Sequence, residues 1–113
     1  RGFIVSRLEE HKAWAASLPN SPRSLVLKRG GPVGKHWVDV SWRPAVYSST
    51  ALGVTAYALE YRPEGGHWRR TYLSSTDRKK RLSNLPKGNY EVRLRAVGWQ
   101  GVSLPVTSRV IVR

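Results

Sequence analysis

The chain has 113 residues, room for one modest core, and 40% of them are apolar, a globular rather than a disordered composition. It carries no cysteine, which excludes disulfides and cysteine-based zinc sites, and no apolar run approaches the roughly 20 residues that cross a bilayer. Net charge is +13, a field that favours polyanions (nucleic acid, sulfated glycans, an anionic membrane face) without choosing among them.

The first 22 residues differ from the rest. "RGFIV" runs straight into "SRLEEHK", too short an apolar core for a signal peptide, so the chain reads as a piece of a longer protein. In "SRLEEHKAWAASL", Ser6 and Glu9 have capping-box spacing, and Leu8, Trp14 and Ala15 lie near one helical face. "PNSP" then stops the pattern. Residues 1–22 are therefore expected to form an extension, either a short helix over 7–17 or a linker, ahead of one domain over 23–113.

From Ser24 the pattern is β. "SLVLK" is a short strand and "RGGPVGK" a turn-rich loop. "HWVDVSW" alternates, with Val38, Val40 and Trp42 on one face and Trp37, Asp39 and Ser41 on the other. "RPAVYSSTALG" is a loop. "VTAYALEYR" puts Tyr57, Leu59 and Tyr61 on one face and Ala58, Glu60 and Arg62 on the other. "PEGG" turns the chain into the strand "HWRRTYL", and "SSTD" turns it again into "KKRLSNL". In "NYEVRLRAV", Tyr90, Val92, Leu94 and Ala96 alternate with Glu91, Arg93, Arg95 and Val97. "GWQGVSLP" is a loop with an edge segment, and "VTSRVIVR" is the last strand. About seven short strands separated by turns predict an all-β, seven-stranded antiparallel sandwich.

Four segments carry a family resemblance: "VSWRPA" with Trp42, "YALEYRPEGGHW", "LSNLPKGNYEVRLRAV" and "GWQGVSLPV". Together, over Ser24 to Arg113, they resemble a fibronectin type III domain. The resemblance implies a structural core of Trp42, Tyr57, Leu59, Leu85, Tyr90, Val92 and Leu94. It also implies a corner at Tyr90, whose hydroxyl bonds to backbone upstream while Gly88 allows the turn. The leucine-to-tyrosine spacing is one residue shorter than the family's usual one. No Arg-Gly-Asp tripeptide is present. "NYEVRLRAVGWQGVS" is also similar, more narrowly, to the membrane-proximal domain of cytokine receptors. That likeness implies Arg93 and Arg95 stacked with Trp68 or Trp99, although the Trp-Ser-x-Trp-Ser box is absent.

The catalytic inventory is poor. His11, His36 and His67 have no metal-ligand spacing, no serine lies in a G-x-S-x-G elbow, and "GGPVG" lacks the ending of a phosphate-binding loop. A non-enzyme without metal or cofactor is expected. The basic residues remain. Arg78, Lys79, Lys80 and Arg81 are expected in the loop entering the fifth strand, with Lys87 at the next corner. Arg93 and Arg95 are expected on the exposed face of the sixth strand, and Arg62, Arg69 and Arg70 on neighbouring strands. These ten are the candidate polyanion site, because guanidinium forks fit sulfate and phosphate. The bland alternative is that Glu60, Glu64 and Glu91 pair with some of them across strands. "RKKR" also has the shape of a convertase or nuclear-localisation site, and the chain has no N-x-S/T sequon.

The expected function is a protein-recognition and adhesion module of a larger receptor or scaffold. It would sit outside the cell or at its surface beside neighbouring domains, and bind a protein partner and heparan sulfate or another polyanion. The alternatives are a structural spacer and an intracellular scaffold module binding nucleic acid or cytoskeleton, for which Trp68, Tyr72 and Trp99 would stack bases.

Overall fold

The computed structural model describes residues 19–32, 34–44, 53–99 and 101–113. The helix expected over 7–17 and most of the 43–53 loop lie outside these residues. The described chain contains β1 (Arg23–Gly30), β2 (Trp37–Arg43), β3 (Val54–Pro63), β4 (Arg69–Ser74), β5 (Lys79–Ser83), β6 (Gly88–Gly98), β7 (Gly101–Val102) and β8 (Val106–Val112). They build two antiparallel sheets. The smaller has the order β1-β2-β5. The larger has the order β4-β3-β6, with the far side of β6 shared by β7 and β8. No helix among the described residues is long and apolar enough to cross a membrane.

Eight strands replace the expected seven because the last one is interrupted. β7 and β8 both pair with β6, and residues 103–105 separate them. Pro105 has no N–H to give the ladder. Ser103 spans the gap: its N–H donates to the Ala96 carbonyl at 2.8 Å, and its hydroxyl accepts the Ala96 N–H at 2.9 Å. β4 also starts later than expected, so His67 and Trp68 precede it.

The two-residue period of the strands sends one set of side chains inward. Val38, Val40 and Trp42 from β2 meet Tyr57 and Leu59 from β3, and Tyr90, Val92, Leu94 and Ala96 from β6. Burying each large apolar side chain contributes roughly 1.5–3 kcal/mol. Trp42 and Tyr57 meet edge to face with centroids 5.6 Å apart, an arrangement that suits the ring quadrupoles. Leu85 and Tyr90 close one end of this core, and both are buried. The Tyr90 hydroxyl donates to the Pro86 carbonyl at 2.7 Å, so the short leucine-to-tyrosine spacing still makes a closed corner. Burial pushes the Tyr90 phenol pKa up and keeps the hydroxyl a donor. Asn84 takes φ 55°, a left-handed conformation that asparagine tolerates, and the Leu85 N–H after it donates to the His36 carbonyl at 3.2 Å.

Candidate functional site: two charged faces

The outward face of the larger sheet is organised by Glu60, the mid-strand polar position of β3. In register, Arg70 of β4 and Arg93 of β6 flank it. Both reach it. Arg93 donates through Nε at 3.0 Å and Nη2 at 3.2 Å, Arg70 donates through Nη2 at 3.0 Å, and the Arg95 Nε lies 3.6 Å away. The carboxylate is only 2% exposed, although its position in the strand is an outward one. Burial works to raise the Glu60 pKa. The hydrogen bonds from Arg93 and Arg70, with their charges, outweigh it and hold the carboxyl below its ordinary value. Glu60 is therefore ionised at neutral pH.

Trp68 extends the arrangement. The Arg62 guanidinium lies 4.4 Å and that of Arg93 3.8 Å from its ring centroid. Arg62 also bonds Glu91 at 3.3 Å, and Arg109 of β8 lies 4.0 Å from the same carboxylate. Arg95 points instead to Glu60 and to the Ser103 carbonyl, and Trp99 is 85% exposed. Arg69 alternates to the other side of β4, opposite Tyr61.

The basic run falls elsewhere. Lys79, Lys80 and Arg81 are inside β5 rather than in the loop before it, and β5 belongs to the smaller sheet. The connection from β5 to β6 crosses between sheets, so this run and the Arg62–Arg95 group lie on opposite faces of the sandwich, not on one surface. On the smaller sheet's outward face Arg81 grips Asp39 with both prongs, at 2.7 and 2.9 Å, and stacks 3.9 Å over Trp37. The Arg81 hydrogen bond is the main cause holding the Asp39 carboxyl below its ordinary value. Lys28 stands opposite Asp39 from β1, and Lys79 opposite Ser41. Arg78 is spent on backbone, donating to the Ser75 and Asp77 carbonyls at 2.7 Å. Lys87 lies at the β5–β6 corner, exposed.

Two residues carry more of this architecture than their sequence context suggests. Glu60 was readable only as a cross-strand partner, and its burial by three arginines was not. Asp39 belongs with Trp37 on the alternating face of "HWVDVSW", but its partner lies 42 residues downstream.

No family model and no curated protein matches the sequence. Solved structures do match. A fibronectin type III domain of human collagen XX is 25% identical, with a TM-score of 0.62, over 82% of this chain and 92% of that one. The FN1–FN3 domains of chicken contactin give 23% identity and a TM-score of 0.70, over 84% of this chain and 33% of that one. A two-domain fibronectin type III segment of chicken tenascin gives 21% and 0.70, over 84% and 51%. Two layered antiparallel sheets, a tryptophan on the second strand and a tyrosine corner ahead of the last strands agree with this likeness. The chain folds as a fibronectin type III domain.

Proposed function

We propose that the chain is a non-catalytic protein-recognition and adhesion module of a larger receptor or scaffold protein, outside the cell or at its surface, whose basic face binds heparan sulfate or another polyanion. The polyanion reading is carried by the smaller sheet's outward face. There Lys28 and Lys79 form no ion pair with a carboxylate among the described residues, and they flank the Arg81–Asp39 pair; Lys80 alternates to the other side of β5, opposite Val40. The larger sheet offers less, because Glu60 and Glu91 already engage its arginines. Support for a recognition module comes from the fold, which is typically non-catalytic, and from similar domains in a collagen, a contactin and a tenascin. The tandem domains of the latter two support neighbours in the same chain.

Heparin-affinity chromatography tests the reading. Elution well above ~0.15 M salt is expected, falling when Lys28 and Lys79 are changed to alanine and holding when Arg109 is. Elution near ~0.15 M, unmoved by the lysine changes, would sink the polyanion reading. It would favour a structural spacer, to which the internally satisfied Glu60 cluster is better suited.

A further inference from the structure

The strands that end the two sheets differ in how they are guarded against a further strand. β1 shifts register between Arg23 and Val26, with Ser24 at φ 53°. β5 carries three consecutive cations, Lys79, Lys80 and Arg81. The β7–β8 edge is broken at residues 103–105, and the Ile111 carbonyl of β8 accepts from Arg29 at 2.9 Å. Bulges, charge and interruption all discourage strand addition. β4 has neither a bulge nor a break. Its six residues pair with β3 in unbroken register, without proline or glycine, and among the described residues no strand pairs with its other side.

The side chains along this edge are ordered by contacts within the sheet. Across the outward face, Arg93, Glu60 and Arg70 stand in one register row, so charge alternates and the row ends on a cation. Arg70 bonds Glu60 through Nε at 3.2 Å and Nη2 at 3.0 Å, and donates through Nη1 to the Tyr72 hydroxyl at 3.3 Å. A guanidinium has five N–H donors, and the Arg70 side chain remains 54% exposed. Three arginines also share the single Glu60 carboxylate, so the row keeps a positive excess. The next outward row runs Arg95, Ala58, Tyr72, and Tyr72 is 64% exposed. A strand laid beside β4 would continue both rows, because directly opposed side chains lie about 5 Å apart. An acid opposite Arg70 would extend the alternation, and an apolar residue opposite Tyr72 would cover its ring. A second copy of this chain suits the edge poorly, since it brings another net charge of +13.

We infer that β4 is a docking edge that adds an extended acidic segment of a protein partner as a further strand, with an acid and an apolar residue two positions apart on its outward face. This deepens the protein-recognition reading above and rests on it. The test is an NMR titration of the labelled protein with a short synthetic peptide that has threonine at alternate positions and a leucine and a glutamate two positions apart between them. Saturable shifts at the amides of residues 69–74 are expected, together with slower hydrogen exchange there. Lysine in place of the glutamate should weaken the peptide about tenfold, in line with losing a charge-assisted bond. N-methylation of the peptide backbone along its pairing edge, which keeps every side chain, should abolish the protection. Arg70→Gln also disturbs Glu60, so Tyr72→Thr is the cleaner variant: it should weaken binding several-fold and leave the Arg93 contacts with Glu60 in place. Shifts that survive N-methylation without protection would overturn strand addition. Binding that moves Lys28 and Lys79 and spares β4 would overturn the edge and leave a binding module standing. Signals of β4 that move with protein concentration alone would overturn the acidic partner in favour of a second copy. Silence throughout the domain overturns the edge; joined to heparin elution near ~0.15 M salt, it removes the recognition reading as well.

Discussion

At Glu60 a nearly water-free carboxylate is kept ionised by guanidinium groups that remain partly solvated. That asymmetry decides its worth. An isolated buried charge would neutralise itself, and a surface pair would contribute little. Glu60 lies between these limits, because three arginines share the cost of desolvating one carboxylate. Glu60→Ala leaves Arg70, Arg93 and Arg95 facing each other without an anion. A loss of about 3 kcal/mol is expected, the low end for a broken buried pair, because the arginines can still reach water. Urea unfolding at neutral pH measures it. The same residue sets an acid dependence. Its folded pKa lies below the ordinary 4.5, so its contribution is fully present above that pH and is lost as pH falls through the folded value. Stability measured in steps below pH 4.5 should fall less steeply in Glu60→Gln than in the parent chain. Equal slopes would show that the carboxylate is not held ionised by the arginines.

For the strands, position in the sheet matters more than composition. Among the described residues β5 ends the smaller sheet, and no further strand pairs with its outer side. Lysine on such an edge discourages another chain from adding to it. Lys79 and Lys80 therefore serve folding hygiene whether or not they bind a polyanion. Changing both to threonine should alter stability by less than about 0.5 kcal/mol but raise self-association, read by sedimentation velocity. If the variant stays monomeric at high concentration, the edge needs no guard. The interrupted last strand depends on one hydroxyl. Ser103→Ala removes the acceptor for the buried Ala96 N–H, and orphaning such a donor costs about 1–3 kcal/mol. Faster hydrogen exchange at Ala96 is the specific sign, since a general loss of packing would spread along β6.

Taken whole, the molecule carries far more positive than negative charge and divides it between two outward faces. Self-repulsion at +13 opposes compaction, and salt relieves it. Raising sodium chloride from low millimolar to physiological strength should raise Tm by roughly 4 °C, about 1 kcal/mol for a domain of this size, despite some weakening of the Arg81–Asp39 pair. A falling Tm would mean that the ion pairs outweigh the repulsion. Most strand positions, their inward faces and the corner were legible along the chain, while the break between β7 and β8 and the place of Lys79 to Arg81 inside β5 were not. Val38, Val40 and Trp42, or Tyr90, Val92 and Leu94, declare themselves by a two-residue period, and the Leu85-to-Tyr90 run contains both ends of its own hydrogen bond. These are local regularities, set by backbone geometry along one stretch of chain. Which charges meet was decided only by tertiary structure. The run at Arg78–Arg81 and the arginines at 93 and 95 are close in sequence, yet the crossing from β5 to β6 puts them on opposite sheets. Glu60 draws its partners from β4 and β6, and Asp39 from β5. Coulomb attraction and desolvation depend on distance and burial, and neither exists until the two sheets have closed on each other.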